Sequence, residues 1–347
     1  MQEKRLFLLD AYALIYRSYY AFIKNPRINS KGINTSAILG FVNTLEELLR
    51  KENPSHIAVG FDPQGPTFRH EAYEQYKAQR EETPEVIRYS VPIIKEIIQA
   101  YNIPIIEVPG FEADDVIGSL AKLAEKEGFD TYMMTPDKDY GQLVSSHIFM
   151  YRPKFGGDFE ILGPEEIKTK YGIQSPEQVI DILGLMGDSS DNIPGVPGIG
   201  EKTAKDLLVR FGTVADIYRD LDTLDIKPGV RKKLTEGRES AQLSFDLATI
   251  RTDAPIDFAL ESAVWDHDYQ PELYDWFRRL NFTSLSEKWG LQPADGAAAP
   301  ENALPPLPTV DVTDSAALHT LEQAVTAAPY VAVLAPDGLD ALTLCDG

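Results

Sequence analysis

Cysteine is nearly missing from this 347-residue chain, with Cys345 the only one. That excludes a disulfide framework and any zinc site built from several thiolates. Histidine is scarce as well, and its five scattered residues argue against a histidine-rich metal centre. No apolar run approaches the roughly 20 residues of a membrane span. The opening Met1–Asp10 holds a basic pair and a short apolar patch, but Asp10 cuts the patch short of a secretory signal. Positive charge is in deficit, 33 Lys and Arg against 54 Asp and Glu, for a formal net charge of −21. Together these features predict a soluble cytoplasmic protein of about two domains with no membrane partner. What is present, 43% apolar residues, suffices for a real core.

The acidity is unevenly spread. Residues 291–347 hold eight acidic side chains and no Lys or Arg. Residues 1–290 therefore set 33 basic against 46 acidic groups, a net −13. If nine carboxylates among them face bound cations, 33 against 37 leaves −4. That leaves room for basic patches that a phosphate backbone would feel.

The first 150 residues alternate strand-like and helix-like segments. Arg5–Leu9, Ile57–Phe61, Ile103–Val108 and Thr131–Thr135 read as strands. Ala11–Phe22, Leu39–Leu49 and Val116–Ala124 read as helices. This order predicts an α/β fold with a mostly parallel central sheet flanked by helices. Residues 163–290 show helical patterns broken by Gly and Pro. We divide the chain into a sheet-containing domain at 1–183, a helical region at 184–290 and an Ala/Pro-rich linker at 291–308. A segment at 309–347 restarts with a helix, Ser315–Val325, and a strand, Tyr330–Leu334. About forty such residues are too few to be stable alone, which suggests the beginning of another domain.

Three strand-like runs lead into aspartates: Asp10, Asp62 and Asp137. In a parallel sheet the carboxyl ends of the strands share one edge, where open α/β folds place ligands. Glu112, Asp114 and Asp115 follow a fourth strand, Asp139 follows Asp137, and Asp188 and Asp191 sit three apart. Nine carboxylates converging bare would repel one another strongly. Hard divalent cations such as Mg²⁺ or Mn²⁺ remove that objection. Two such ions can activate a water and hold the leaving oxygen of a phosphodiester. Each acid also has a plainer reading. Asp10, Asp62 and Asp137 suit helix N-caps, and Glu112, Asp114 and Asp115 suit a helix N-terminus through its dipole.

Two further segments carry chemistry. The string Gly195-Val196-Pro197-Gly198-Ile199-Gly200-Glu201-Lys202-Thr203-Ala204 has the form of a helix-hairpin-helix. Its glycines let backbone amides approach a phosphate while Ile199 plugs the core, and Lys202 and Lys205 add charge. The plainer alternative is an ordinary helix–loop–helix turn. Phe68–Arg80 interleaves Arg69, Tyr73, Tyr76, Lys77 and Arg80, a mix that stacks on bases and neutralises phosphates; a solvated amphipathic helix would look the same. The cluster of Lys227, Arg231, Lys232 and Lys233 reads equally as plain surface or as a contact.

With these residues in hand, positions 4–290 resemble the 5′-nuclease region of bacterial DNA polymerase I, within the flap endonuclease family. The likeness rests on Phe61-Asp62 with Phe68–Arg80, on Phe111–Asp115, on Thr135–Asp139 and on Gly184–Ala204. It implies a PIN-like fold and metal-dependent cleavage of 5′ flaps and 5′ ends on branched or nicked duplex DNA, RNA-primed ends included, in primer removal and repair. It implies two Mg²⁺ (or Mn²⁺), one group held by Asp10, Asp62, Glu112 and Asp114 and the other by Asp137, Asp139 and Asp191, with Asp115 and Asp188 at the margin. Arg17, Lys77 and Arg80 match residues that engage the scissile phosphate, the latter two on a mobile helical arch at about 66–101. Gly195–Thr203 matches the hairpin that grips duplex DNA, where K⁺ often binds. The expected setting is a bacterial, nucleoid-associated monomer fused to a polymerase. Residues 309–347 resemble the start of a ribonuclease H-like 3′-exonuclease domain, degenerate because Val333–Asp337 lacks the acidic pair of that family; Asp337 and Asp340 read as turn residues. Two other classes remain: a catalytically idle DNA-binding module, and a PIN-type ribonuclease, which would lack residues like 184–204.

Overall fold

The computed structural model describes residues 4–154 and 158–292, together with the backbone of 331–334 and 343–346. In chain order the elements are β1 (Arg5–Asp10), α1 (Ala11–Ala21), α2 (Ser36–Glu52), β2 (His56–Gly60), α3 (Phe68–Ala72), α4 (Glu85–Ala100), β3 (Ile105–Ile106), α5 (Ala113–Lys126), β4 (Asp130–Met134), β5 (Ile148–Pro153) and β6 (Phe159–Leu162). Helices α6 (Pro164–Tyr171), α7 (Gln178–Met186), α8 (Glu201–Phe211), α9 (Val214–Arg219), α10 (Pro228–Glu236), α11 (Arg238–Ala248), α12 (Glu272–Arg279) and α13 (Thr283–Lys288) follow.

The first six strands form one sheet in the order β3-β2-β1-β4-β5-β6, parallel throughout except for the β5–β6 pair. Side chains alternate across a strand, so β1 feeds two cores. Phe7 and Leu9 join the core under α1, α2, α4, α12 and α13. Leu6 and Leu8 join the core under α5, α7, α8 and α11. Because β1 pairs with β2 on one side and β4 on the other, the chain switches direction between β1 and β4. A crevice opens outside the carboxyl ends of strands at such a point. Asp10 is the last residue of β1, Asp62 lies just past β2, and Asp137 just past β4.

The expected α/β architecture is therefore present, with differences of detail. The strand expected over Ile103–Val108 is paired only at Ile105–Ile106. Strands β5 and β6 carried no signal that we read. The expected arch at 66–101 is smaller: α4 is a core helix, with Ile87, Ile94, Ile97 and Ile98 fully buried, which leaves the span between α3 and α4 as the exposed strap. The boundary at 183/184 falls inside α7, and packing makes residues up to Gln292 one compact unit. From Pro293 a second unit begins, in which β7 (Val331–Leu334) pairs antiparallel with β8 (Thr343–Asp346). Most of the linker at 291–308, the helix expected over Ser315–Val325, and Asp337 and Asp340 lie outside the described residues. Among the described residues no helix is long and apolar enough to cross a membrane.

Candidate metal centre and nucleic-acid interface

The capping and metal readings of the aspartates turn out to be compatible. Asp10 caps α1, its Oδ1 accepting from the Ala13 amide at 3.1 Å. Its Oδ2 accepts from Thr135 Oγ1 at 3.0 Å and from Tyr140 O–H at 3.1 Å. Asp62 reaches across to α5 and accepts from the Ala113 amide at 2.8 Å. Asp137 caps the 3₁₀ turn Lys138–Leu143 and accepts from the Asp139 amide at 3.0 Å. Each cap uses one carboxylate oxygen and fixes where the other points.

The acids feel one another. Burial first, then Asp62 and Asp137, push the Asp10 carboxyl up to about 7. Burial and Glu112 raise Asp62. Burial, reinforced by Asp115 and Glu112 against Arg69, holds Asp114 well above the ordinary carboxylate range. Burial and Asp191 raise Asp137, and burial with Asp137 lifts Asp139 further. These mutual effects link Asp10, Asp62, Glu112, Asp114, Asp137, Asp139, Asp188 and Asp191 as a chain of electrostatic neighbours.

The chain's own cations stand among them. Lys77 Nζ lies 2.7 Å from Glu112 Oε1 and 3.7 Å from Asp191 Oδ2. Arg80 Nη2 lies 2.6 Å from Asp191 Oδ1, and Lys138 Nζ lies 2.7 Å from Asp188 Oδ2. Glu112 is accordingly lowered: burial pushes it up, but Lys77 and Arg69 outweigh burial. Asp188 is lowered against burial by Lys138 and Ser190. Among the described residues no three acidic, His or Cys side chains are drawn together as a ready-made ligand set. Repulsion spreads bare carboxylates, and the ammonium and guanidinium groups occupy the space between. The donor chemistry still suits a hard divalent ion, being all carboxylate oxygen. Asp139 Oδ1 is buried without a hydrogen-bond partner, an orphan that a cation would satisfy.

Two site expectations change. Asp115 is fully buried, and both its oxygens are taken by Arg69, Nη1 to Oδ2 at 2.7 Å and Nη2 to Oδ1 at 2.8 Å. It is a structural anion rather than a metal ligand. Arg69, 1% exposed, is out of reach of DNA. Removing one partner of such a pair costs about 3–5 kcal/mol, because the other charge is left buried. Tyr76 is also inside. Its hydroxyl lies 2.9 Å from Glu112 Oε2 and 3.2 Å from Asp191 Oδ2, so it braces the two acid groups instead of stacking on bases. Tyr73 is half-buried against the core.

Residues 73–80 form a strap over the crevice. Lys77 has φ +55, a conformation uncommon for a residue with a Cβ. Its amide donates to the Asp191 carbonyl at 2.9 Å. Gln79 Nε2 donates to the Ser189 carbonyl at 2.8 Å, and Asn192 Nδ2 donates to the Gln75 carbonyl at 2.6 Å. Arg17, on α1, donates to the Lys154 carbonyl just past β5.

The chain matches known proteins over most of its length. Residues 5–172 match the family described as "5'-3' exonuclease, N-terminal resolvase-like domain", and residues 174–270 match "5'-3' exonuclease, C-terminal SAM fold". The chain belongs to the 5′-3′ exonuclease family. DNA polymerase I of Bacillus caldotenax is 42% identical over 82% of this chain and 32% of its own length. DNA polymerase I of Bacillus subtilis is 40% identical over 90% of this chain and 35% of its own length. The chain thus spans about a third of the length of these relatives. In fold it is similar to the T5 5′-exonuclease solved with bound zinc ions (TM-score 0.60, 22% identity, 80% of this chain and 98% of that one). It is also similar to the catalytic core of Rad2 solved with DNA substrate (TM-score 0.52, 18% identity, 83% and 92%).

The hairpin of this family member lies between α7 and α8. Gly198 and Gly200 are exposed and Ile199 is buried, as the glycine spacing predicts. Lys202 is exposed and Thr203 half-buried, while Lys205 pairs with Glu201 at 2.7 Å. Gly195 has another task. A Cβ there would sit 2.3 Å from the Gly187 nitrogen, so its glycine serves backbone approach rather than DNA contact. In the basic cluster, Arg231 donates to the Leu221 and Leu224 carbonyls and Lys233 to the Gly198 carbonyl.

Sequence reasoning missed Tyr140 and Thr135, which orient Asp10. It also missed a surface that was legible. Residues 11–45 contain no acid but carry Arg17, Lys24, Arg27 and Lys31. That stretch exposes Tyr20, Ile23, Ile28 and Ile33, at 56%, 52%, 54% and 42%. An acid-free run in so acidic a chain was the signal.

Proposed function

We propose that the chain is a divalent-metal-dependent, structure-specific 5′-nuclease that cleaves 5′ flaps and 5′ ends on branched or nicked duplex DNA, including RNA-primed ends. The proposed setting is primer removal and repair, as a monomeric amino-terminal part of a longer polymerase. One observation supports the reading: Asp10 ends β1, Asp62 follows β2, Asp137 follows β4 and Glu112 and Asp114 open α5, so acids gather at one edge of the sheet, and neighbouring carboxylates help to raise Asp10, Asp62, Asp114, Asp137 and Asp139. Asp10 is buried and Asp62, Asp114 and Asp139 are partly buried at one strand edge, an arrangement of like charges that bound cations would offset.

Asp10, Asp62, Glu112 and Asp114 would hold one Mg²⁺ or Mn²⁺, and Asp137, Asp139 and Asp191 a second, with Asp188 beside them. Bound there, such ions supply Lewis-acid polarisation of the phosphodiester and a more acidic water. Thr135, Tyr140 and the Ala113 amide hold the receiving carboxylates in orientation. Lys77 and Arg80 would place preorganised positive charge where negative charge develops on the phosphate. Arg17 would engage the same strand from the rim. The amides and lysine of Gly198–Lys202 would grip duplex backbone without reading bases. The exposed Tyr20, Ile23, Ile28 and Ile33, in a stretch that also carries Arg17, Lys24, Arg27 and Lys31, would cover the open end of a base stack. A K⁺ ion fits the hairpin less well, since the Gly198 carbonyl already accepts from Lys233 Nζ at 2.9 Å.

The test is a Mg²⁺ titration on 5′-flap DNA, nicked duplex and single-stranded RNA side by side, with wild type and Asp114→Asn. Mg²⁺-dependent cutting that favours the flap and is lost in the variant is the expected result. Binding without cutting would leave an idle DNA-binding module, and preference for the RNA would leave a ribonuclease.

A further inference from the structure

We propose that Arg69 is a positioning residue which, through α11, sets the distance between the hairpin and the carboxylates and so fixes which phosphate is cut. The proposal rests on the nuclease reading above. Arg69 has five N–H donors, and the structure gives each an acceptor. Nε donates to the Leu247 carbonyl at 2.8 Å, and Nη2 to the Thr249 carbonyl at 2.9 Å and Asp115 Oδ1 at 2.8 Å. Nη1 donates to Asp115 Oδ2 at 2.7 Å and to Glu112 Oε2 at 3.2 Å. Asp115 in turn accepts from the Glu112 amide at 3.1 Å and the Arg251 amide at 2.8 Å. One buried guanidinium thus joins the acid-bearing end of α5 to the end of α11.

The far part of α11 holds the hairpin. Ser244 Oγ accepts from the Gly195 amide at 2.8 Å, and Ser240 Oγ donates to the Gly195 carbonyl at 2.6 Å. Both backbone groups of the hairpin's first glycine are therefore fastened to the helix whose other end is fastened to Arg69. From Ser240 to Leu247 this helix is a stiff span of about 10 Å at 1.5 Å per residue. If duplex is gripped at the hairpin and cut at the carboxylates, this rod measures the interval. Adjacent phosphates lie about 3.4 Å apart along the helix axis of a strand, so slack of that order moves the cut by one nucleotide. Only arginine supplies five donors in a planar fork; lysine has three.

The readout is the distribution of cleavage positions on a 5′-flap substrate, with duplex affinity measured in Ca²⁺ and thermal stability measured alongside. Arg69→Lys is expected to bind duplex within a few-fold of wild type, to spread its cuts over neighbouring phosphates, and to lose on the order of 10- to 100-fold in rate at the wild-type position. Should that variant not fold, Ser240→Ala/Ser244→Ala loosens the rod away from the carboxylates, and Arg69→Met/Asp115→Asn removes both buried charges at once. Each is expected to scatter the cut. If the variants that fold cut only at the wild-type phosphate, whatever their rate or stability, Arg69 is structural and the proposal falls. If wild type itself does not cut the flap, the nuclease reading has failed instead.

Discussion

Glu46 is 1% exposed, accepts from the Tyr101 hydroxyl, and has its other oxygen without a partner. The nearest cation is Lys288, 3.9 Å away. Burial pushes its carboxyl up to about 7 from 4.5. For a raised acid the folded state binds the proton more tightly than the unfolded one. The wild-type protein therefore loses stability as pH rises from about 4.5 to about 7, by about 3 kcal/mol from this group. Glu46→Gln, which cannot ionise, is expected to flatten that decline and to melt above wild type at pH 8. Denaturation followed across pH 5 to 8 measures it, and parallel curves for the two proteins would refute the assignment. At Asp10, Tyr140→Phe removes one of three donors to a carboxyl already near 7. The remaining shift is upward, because that bond favours the charged form. Metal affinity and cleavage at pH 7 should both fall, and recover in part at pH 8.5. Of these residues, Asp10 was legible from its place after a strand. Tyr140 was not, because its role depends on burial beneath an acid 130 positions away.

The strap over residues 73–80 joins chain segments more than 100 positions apart, by way of the 188–192 loop. Periodicity locates strands and helix faces but is silent on such contacts. The strand-end aspartates were legible because a parallel sheet brings them to one edge by construction. Arg69 and Tyr76 looked like a solvated or DNA-facing mix, because alternating Tyr and Arg carry no mark of which side is buried. The strap makes its own prediction. Lys77 and a divalent ion both serve as counter-charge to Glu112 and Asp191. Lys77→Ala should lower the melting temperature without metal and show a larger rise on adding Mg²⁺ than wild type does. Its single-turnover cleavage should drop on the order of 100- to 1000-fold, since a preorganised cation at the phosphate is lost. An unchanged Mg²⁺ response would mean that Lys77 and the ion do not share the same carboxylates.

At the scale of the molecule, a protein of net charge −21 must confine its positive surface to patches if it grips DNA as proposed. Binding should then be steeply salt-dependent, and each exposed lysine on phosphate should account for about 0.9 of the slope of log K against log salt. Lys202→Ala should reduce the slope by about that much, whereas Lys205→Ala should reduce it less, because Glu201 already engages Lys205. All eight acidic residues past position 290 fall in the unit that begins at Pro293, which has no Lys or Arg. Residues up to Gln292 form a compact unit with their own two cores, so a chain ended there should keep its melting transition within a few degrees. Its net charge would be −13. Removing a like charge from the field that the duplex approaches raises the association rate most where screening is weakest. The shortened chain is therefore expected to associate with flap DNA faster than the full chain at low salt. The two rates should converge as the Debye length falls to about 8 Å at physiological ionic strength. Stopped-flow association across a salt series measures both limbs. Equal rates at the lowest salt would mean that those eight carboxylates do not bear on the DNA approach.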